Sequence, residues 1–353
     1  MAPRRTQRDI AERLGLHVTT VSKALRGDER IAQATRERIR REAENIGYVP
    51  DPALSSLIAY RQRKSTAYRA SIGWIFNHDR QTDMSIFPGY ADILRGARER
   101  ARRLGYAVDE FWLHEDGLSE KRLAAILDTR HIAGVVIAPQ MRRGTPLHLP
   151  WHRLAAVSIG HTLLEPELPV VATDHFRAMT SLLDTLRKRD YRRIGLALWR
   201  EDNERMDRRA QSAFLAYSEG LDVTVALYEQ LERERFLDWV NKHELDAVVV
   251  RDATPLDWLT QAGYRVPEQI GVAAYTLPGE HARLSGIYHN HARVGELAVD
   301  RLAQMLQFGE RGLPECPDRL LVSASWREGG TVRLSPAMTH PYDNKGRFTE
   351  ELG

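Results

Sequence analysis

The chain has 353 residues, 42% of them hydrophobic, and is long enough to bury the cores of two to three globular units. Its basic charge lies at one end: residues 1–64 hold 14 Lys and Arg against 8 Asp and Glu, whereas the rest hold 37 against 40. Apolar runs such as 133–139 and 247–250 are far shorter than the roughly 20 residues that span a bilayer, and no signal-peptide pattern opens the chain. We therefore expect a cytoplasmic protein. Cys316 is the one cysteine, which excludes an internal disulfide framework and a multi-cysteine zinc site.

The N-terminal segment begins with a short helical pattern. Thr6 can cap a helix in which Ile10 and Leu14 share one face, and Gly15 can end it. A second pattern follows after a tight turn, with Val21 on its apolar face. The opposite face of this second helix carries small and basic side chains suited to a major groove, namely Thr19, Ser22, Lys23 and Arg26.

A third helical pattern places Ile39, Ala43 and Ile46 inward and ends near Gly47. A helix, a short glycine turn and a helix with a polar outer face together form the helix-turn-helix arrangement, whose second helix contacts base edges. An ordinary three-helix bundle is the alternative. It predicts apolar or long charged side chains where Thr19, Thr20 and Ser22 stand. The local excess of basic residues also favours a polyanionic partner.

In this N-terminal segment the chain resembles a known family, the lactose-repressor (LacI) family of bacterial transcription regulators. The resemblance is carried by DIAERLGLHVTTVSKALRG at 9–27, TRERI at 35–39 and GYVPDPALSSL at 47–57. It extends much more loosely over the rest of the chain. Two positions depart from the family: His17 stands where a Ser usually caps the recognition helix, and Ala32 stands where a Ser or Thr usually caps the third helix. Each lost cap costs about 1 kcal/mol.

The resemblance implies a set of DNA contacts. Val18, Thr19 and Lys23 would contact bases, and Leu57 would be inserted into the minor groove. Arg4, Arg5 and Arg8 would serve phosphates. The full expected set is Arg4, Arg5, Thr6, Arg8, Val18, Thr19, Thr20, Ser22, Lys23, Arg26, Leu54 and Leu57.

A short helix is predicted at 50–60, after the helix-turn-helix domain at 1–49. Leu54 and Leu57 share one face of it, and two turns are too few for it to be stable alone. We expect this hinge helix to form only when it is paired across a homodimer and supported by DNA, where Leu57 would separate a base step. The alternative is an ordinary linker helix with Leu57 in a core. A polar, basic linker follows at 61–70.

From residue 71 onward, short apolar strands alternate with helices. This pattern predicts parallel sheets covered on both faces. In the first half, strands are expected at 72–76, 107–113, 133–138, 154–159 and 170–172, and helices at 91–104 and 119–129. In the second half, strands are expected at 194–199, 223–228, 247–250 and 270–275, and helices at 176–188 and 208–219.

The expected fold class is therefore an all-α helix-turn-helix headpiece followed by an α/β core. Two similar halves in series resemble the two-lobed periplasmic-binding-protein fold of the family's effector core. We assign 71–335 to this effector-binding and dimerisation core. Lobe one would span about 71–172 with a return near 291–315, and lobe two about 173–290 with a late strand. The tail at 336–353 is expected to be irregular and lacks the leucine heptads of a tetramerising coiled coil.

Ligands of open parallel sheets bind beyond the carboxyl ends of the strands, so we expect a small effector in the cleft between the lobes. The expected effector contacts are Tyr90, Gln140, Asp174, Trp199, Arg205, Arg209, Asp252 and His289. Arg205, Arg208 and Arg209 compete for the role of the family's ligand-clamping arginine. The family usually has an acidic residue where Thr276 stands and an aspartate or lysine where Tyr288 stands, which leaves the effector class open, with a saccharide or sugar acid favoured.

No nucleophile-elbow, phosphate-loop or dinucleotide signature occurs in the sequence, and we expect no enzyme, no cofactor and no metal. His289 and His291 are spaced like strand ligands but lack a partner pattern. The sequence thus predicts a homodimeric, ligand-responsive transcription regulator that binds double-stranded operator DNA, with repression favoured. The alternative is a small-molecule sensory module without operator function. Whether the effector weakens or strengthens DNA binding is left open.

Overall fold

The computed structural model describes residues 6–25, 31–46, 48, 70–78, 89–277, 279 and 283–334. Several sequence-based expectations fall outside these residues. They are the DNA contacts Arg4, Arg5, Arg26, Leu54 and Leu57, together with the hinge helix at 50–60, most of the linker at 61–70 and the tail at 336–353.

The N-terminal unit contains helices α1 (Gln7–Leu14), α2 (Val18–Leu25) and α3 (Gln33–Asn45). Thr6 and Asp9 form a capping box at the start of α1, and Gly15 ends it with a left-handed φ of 63°. The helices pack around Ile10, Val21 and Ile39, none of which is exposed. Burial of this apolar face holds the three short helices together, because none is long enough to be stable alone.

The two departures at helix caps have different outcomes. At α2, His17 takes over part of the missing cap, because its Nδ1 accepts from the Thr19 backbone N–H at 3.4 Å and lies 2.8 Å from the Thr19 hydroxyl. At α3, Ala32 makes no side-chain cap, as expected. One cap is therefore lost rather than two.

Lobe one is built on a six-stranded sheet whose strands are all parallel, in the order β11-β5-β4-β3-β1-β2. Its strands are β1 (Ala70–Phe76), β2 (Tyr106–Trp112), β3 (Gly134–Ile137), β4 (Ala155–Ile159), β5 (Val170–Thr173) and β11 (Arg319–Val322). Helices α4 (Tyr90–Leu104) and α11 (His291–Phe308) cover one face, and α5 (Glu120–Thr129) covers the other.

Lobe two has a second six-stranded sheet in the order β12-β10-β9-β8-β6-β7, parallel except for β12. Its strands are β6 (Arg193–Trp199), β7 (Asp222–Tyr228), β8 (Ala247–Val250), β9 (Gly271–Ala274), β10 (Ser285–Tyr288) and β12 (Ser325–Arg327). Its helices are α6 (His175–Arg187), α7 (Arg200–Arg205), α8 (Arg209–Ala216), α9 (Arg233–Lys242) and α10 (Thr254–Gln261).

The expected α/β core of two lobes is confirmed, with two corrections to its elements. The helix expected at 208–219 ends at Ala216 and is preceded by the separate helix α7, because Asp207 and Arg208 have positive φ values of 55° and 56°. Strands β10 and β11 were not predicted. Ser285 and Gly286 weaken the apolar pattern of β10, yet this strand pairs with β9 and β12. Strand β11 pairs with β5 and lies beyond the expected return of lobe one near 291–315. The domain limits given above stay a prediction.

The chain passes between the lobes after β5, after β10 and between β11 and β12. On the return, α11 packs directly on α4, and two glycines allow this close approach. A Cβ on Gly96 would lie 2.0 Å from the Ala292 carbonyl oxygen, and one on Gly295 would lie 1.9 Å from that of Ile93. The helix that begins at the second crossover is thereby fixed to lobe one.

We predict that Gly295→Ala destabilises lobe one by about 1–3 kcal/mol, the usual cost of overpacking, because backbone atoms cannot move aside. Thermal unfolding followed by circular dichroism measures this as a lower Tm. Gln307→Ala, at an exposed position of the same helix, is the control and should leave Tm nearly unchanged. Equal Tm values for the two variants would contradict the close-packing interpretation.

Candidate functional site

The outer face of α2 is the candidate DNA-reading surface. Val21 and Ala24 on its inner face are fully buried, which turns Thr19 and Lys23 outward into solvent. Val18 is 36% exposed at the start of the helix. An apolar side chain at that position can contact a thymine methyl group, while a hydroxyl and an ammonium group can reach base edges.

Four other expected DNA contacts have different surroundings. The Thr6 hydroxyl donates to the Asp9 carboxylate at 3.1 Å and accepts from the Asp9 N–H, so its side chain belongs to the helix cap. Arg8 makes only a loose contact of 3.8 Å with Glu12, and both side chains are largely exposed. Arg8 therefore remains accessible to a phosphate. Thr20 and Ser22 are half-buried at the edges of the reading face.

A cavity lies between the carboxyl ends of the two sheets, with walls from both lobes. Its volume is about 160 Å³, and it opens to solvent. Apolar side chains such as Tyr90, Ile93 and Met206 form part of the wall. The charged and imidazole side chains that line it are Asp202, Arg205, Arg251, His161, His175, His289 and His291.

Arg205 reaches across the cleft from lobe two to lobe one. Its guanidinium donates to the carbonyl oxygens of Gln140 at 2.6 Å and Met141 at 2.8 Å. It also lies over the Tyr90 ring, 5.4 Å from the centroid. Burial, and next the positive charge of Arg251, lower the pKa of Arg205 to about 10. Arg205 is therefore a mostly buried cation held between the lobes.

Asp202 and Arg251 form an ion pair in the lobe-two wall, 3.4 Å apart. The Asp202 carboxylate also accepts from the Tyr275 hydroxyl at 2.8 Å. Burial raises the pKa of Asp202, and Arg251 opposes this shift. Arg251 in turn lies over the Trp199 ring, 4.5 Å from its centroid, so Trp199 supports the wall from behind.

Four histidines follow one another along the cavity, and three of them, His175, His289 and His291, lie at the segments that join the lobes. The ring centroids are 6.3 Å apart for His161 and His175, 5.3 Å for His175 and His289, and 5.5 Å for His289 and His291. The His289 Nε2 lies 2.9 Å from the Tyr275 carbonyl oxygen and therefore carries the proton that it donates there. Its Nδ1 is a buried acceptor without a partner among the described residues.

Burial lowers the pKa of each of these imidazoles. The pKa of His161 falls to about 4, with Arg209 as the next cause, and that of His289 to about 3, with His291 as the next cause. Burial, followed by His289, lowers the pKa of His175, and burial also lowers that of His291. At neutral pH these four rings are therefore neutral groups that can both donate and accept hydrogen bonds.

Of the expected effector contacts, Tyr90, Arg205 and His289 line the cavity. Gln140 lies next to it: its N–H donates to the Thr162 hydroxyl at 2.8 Å, and its buried side-chain amide has no partner among the described residues. Arg209 lies outside the lining, paired with Asp207 at 3.3 Å.

Asp174 and Asp252 must be corrected, because neither lines the cavity. The Asp174 carboxylate accepts from the Arg177 N–H at 2.9 Å and caps α6, and the Asp252 carboxylate accepts from the Thr254 N–H at 2.9 Å at the start of α10. Both carboxylates thus satisfy helix N-termini. Trp199 also stands behind the wall rather than in it.

Sequence reasoning missed Asp202 and Arg251. Arg251 directly follows β8, but the adjacent Asp252 was selected because a carboxylate suits hydroxyl groups. Asp202 lies three residues after Trp199, where the start of α7 decides which side chains face the cavity, and the sequence does not show this. His161 and Thr162, two and three residues beyond β4, were also missed.

No group of His, Cys, Asp or Glu in the described part of the chain is arranged to hold a metal ion. Among the same residues, none of the helices has the length and apolar character needed to cross a membrane.

We predict that the core loses stability as the pH falls from about 6.5 toward 4. In the unfolded chain His161 and His289 bind protons near pH 6.5, whereas in the folded protein their pKa values are about 4 and about 3. The unfolded state therefore binds more protons in this window, and the free energy of unfolding decreases as the pH is lowered.

Thermal unfolding at a series of pH values tests this prediction. His289→Gln keeps a donor for the Tyr275 carbonyl oxygen but does not titrate, so it should make the fall in Tm less steep. His152→Gln, at an exposed position, is the control. A His289→Gln variant with the same dependence of Tm on pH as the parent protein would contradict the prediction.

Family models match nearly the whole described chain. The model described as "Bacterial regulatory proteins, lacI family" matches residues 6–51. The model of "Periplasmic binding proteins and sugar binding domain of LacI family" matches residues 70–228, and a "Periplasmic binding protein-like domain" matches residues 183–332. The first match covers the helical headpiece, and the other two, which overlap at 183–228, together cover both lobes.

Among curated proteins, the HTH-type transcriptional regulator CelR of Thermobifida fusca is 25% identical over 304 residues, covering 77% of this chain and 83% of CelR. The HTH-type transcriptional repressor CytR of Escherichia coli K12 is 24% identical over 191 residues, which is 54% of this chain and 52% of CytR.

Two solved structures share the fold. A complex of transcriptional regulator CelR with cellobiose superposes with a TM-score of 0.56 at 20% identity, covering 93% of this chain and all of that one. The lac repressor dimer bound to operator and an anti-inducer superposes with a TM-score of 0.53 at 15% identity, covering 94% of this chain and all of the repressor chain. The headpiece, the two-lobed core and these matches lead to one conclusion: the chain belongs to the LacI family of bacterial regulatory proteins and is a helix-turn-helix transcriptional regulator.

Proposed function

We propose that this regulator binds a palindromic operator as a homodimer and represses transcription under the control of a small molecule held between its lobes. The observation that carries the proposal is that one chain joins an exposed polar α2 face to a deep cavity lined by polar side chains from two lobes. We further propose that the protein is cytoplasmic and is not an enzyme. Its role would be to bind and to switch.

The DNA contacts proposed for α2 follow from its orientation. Lys23 is exposed on the face that Thr19 shares, so its ammonium group can donate to the O6 and N7 acceptors of guanine. A single helix contacts few bases. A two-fold pair of headpieces contacting two half-sites therefore accounts better for sequence specificity.

The coupling proposed between ligand and DNA uses contacts that cross the cleft. Arg205 on lobe two donates to two carbonyl oxygens of lobe one, and Asp207 on lobe two pairs with Arg143 on lobe one. A ligand that inserts beside these contacts changes the relative angle of the lobes. Since the lobes also carry the proposed dimer contacts, the change would be transmitted to the hinge helices and the headpieces.

A saccharide or sugar acid is the effector class proposed for the cavity, because a ring can stack on Tyr90 while its hydroxyls bond to imidazole and threonine side chains. The CelR structure that shares this fold contains cellobiose, which supports the class. The competing function is a sensory module that does not bind DNA. It does not account for the exposed polar face of α2. Binding to a selected operator separates the two.

We predict that Lys23→Ala weakens operator binding by about 1–3 kcal/mol and relaxes specificity at one position of each half-site. The measurement is fluorescence anisotropy on the operator selected in vitro and on single-base variants of it. Arg8→Ala is the matched control: it also removes a positive charge but should weaken all sequences equally and make the salt dependence shallower. A Lys23→Ala protein that discriminates among the base variants as the parent does would contradict the assignment.

We predict that Asp202→Asn removes the response of operator binding to ligand and that Asp252→Asn keeps it. Asp202 holds Arg251 and Tyr275 in the cavity wall, whereas the Asp252 carboxylate follows the neighbouring strand and accepts from the Thr254 N–H outside the cavity. The two changes remove the same charge at similar positions. Both proteins should bind operator normally without ligand.

The measurement is operator affinity with and without each metabolite of a panel, after Tm has shown that both variants are folded. By linkage, operator must change ligand affinity by the same factor that ligand changes operator affinity. A full ligand response in Asp202→Asn would remove this residue from the effector site. No response to any metabolite in the parent protein would contradict the ligand-responsive function itself.

A further inference from the structure

His161 is a buried polar group that the cavity leaves unsatisfied. It lies just beyond β4 in lobe one, lines the cavity and is 8% exposed. Its Nε2 has no hydrogen-bond partner among the described residues. A buried nitrogen without a partner costs free energy, which a bound ligand that supplies the partner would recover.

The charge around His161 is positive. Arg209, Arg319 and Arg143 all act to lower the pKa of this imidazole, and Asp207 is the one carboxylate that opposes them. Asp207 is itself shared, since it pairs with Arg143 of lobe one and with Arg209 of lobe two. One carboxylate thus serves two guanidinium groups from two lobes, and the Nε of Arg209 is buried without a partner among the described residues.

Further donors lie beside His161. The Thr162 hydroxyl accepts from the Gln140 N–H at 2.8 Å, which leaves its own proton to donate, and Thr162 lines the cavity. Asp202 is the carboxylate that the described residues contribute to the lining, and it already serves Arg251 and Tyr275. This wall therefore combines hydrogen-bond donors with positive charge, and a ligand with hydroxyl groups alone cannot neutralise that charge.

We propose that the effector carries a carboxylate or phosphate group and that this anion binds at His161 and Thr162 of lobe one, within the positive potential of Arg143 and Arg209. The inference rests on the ligand-binding function proposed above and narrows its ligand class to anions. Arg143 and Arg209 share the single negative charge of Asp207. An anion at this point adds a second negative charge near the two guanidinium groups, one from each lobe. His161 is then a specificity-determining residue that accepts anionic ligands in preference to neutral saccharides.

Binding of the anion is also expected to change the protonation of His161. Asp207, Arg143, Arg209 and Arg319 set the charge at His161, and the neutral ring of His175 lies 6.3 Å away. A bound anion adds negative charge beside the imidazole and raises the pKa of His161 from its low value of about 4. Ligand binding should therefore take up protons and strengthen as the pH falls toward 5.

The test uses a panel of probes that share one ring and differ in charge: glucose, glucuronate and glucose 6-phosphate, together with the matching galactose set, inorganic phosphate and acetate. Thermal shift and calorimetry on the full chain measure binding, and operator anisotropy measures the response. We expect anionic members to raise Tm and to change operator affinity, and the carboxylate and phosphate arms identify which anion is preferred. A panel in which only neutral sugars bind, or in which no anionic member binds, overturns the proposal.

His161→Gln and His152→Gln form the matched pair of variants. The first should bind the best anionic probe at least roughly tenfold more weakly, because an amide cannot take up a proton and become a charged donor to the anion, and the exposed control should not change. Proton uptake, measured by calorimetry in buffers of different ionisation enthalpy, should be present in the parent protein and absent from His161→Gln. This measurement stands even if the variant is unstable, because the absence of proton uptake in the parent also overturns the proposal.

The two proposals fail in different ways. If a neutral sugar changes operator affinity in the parent protein and in His161→Gln alike, the regulator responds to ligand but the anionic subsite is wrong. If anionic probes bind at the cavity and operator affinity never changes, the subsite stands and the ligand-responsive function is contradicted.

Discussion

The cavity depends on the ion pair between Asp202 and Arg251 in the wall of lobe two. Removing a guanidinium from water is costly, and the walls bury two of them, Arg205 and Arg251. Asp202 compensates Arg251 directly, while Arg205 is held by carbonyl oxygens across the cleft. The lobes can approach each other here because the carbonyl oxygens of Gln140 and Met141 accept the hydrogen bonds of Arg205, which would otherwise need a carboxylate. The cavity is consequently a place where small changes of charge alter the relation between the lobes.

Topology explains why these groups meet. Parallel strands end at one edge of a sheet, and both sheets turn that edge toward the same cleft. His175 starts the helix after the first crossover, and His289 and His291 flank the second, so the segments that connect the lobes also form cavity wall. Movement of one lobe against the other must change the surroundings of these imidazoles. Ligand recognition and lobe movement therefore involve the same residues.

Much of this architecture could be predicted from the sequence, for identifiable physical reasons. Alternation of apolar strands with helices gave the two parallel sheets, and the strand-end rule located Tyr90 and Arg205. It failed where a local backbone preference intervened. Asp174 and Asp252 follow strands too, but each is the nearest acceptor for an unsatisfied helix N–H, and a short side chain cannot also reach the cavity. Asp202 and His161 lie three and two residues beyond their strand ends, where the geometry of the intervening turn decides which side chains face the cavity.

The charge of the cavity wall differs from that of an ordinary sugar-binding cleft. A sugar-binding cleft ordinarily uses free carboxylates to accept hydroxyl protons, yet here Asp202 and Asp207 are both engaged by arginines. What the walls leave open are donors and a buried imidazole beside positive charge. Buried positive charge is unfavourable when the cavity holds only neutral groups, because the charges have lost water. A bound anion makes the electrostatic free energy of the site favourable. Because Arg143 and Arg209 come from different lobes and share Asp207, an anion near both would favour an arrangement in which the lobes lie close together. In this regulator the charge of the ligand, as much as its shape, would then determine how the lobes close.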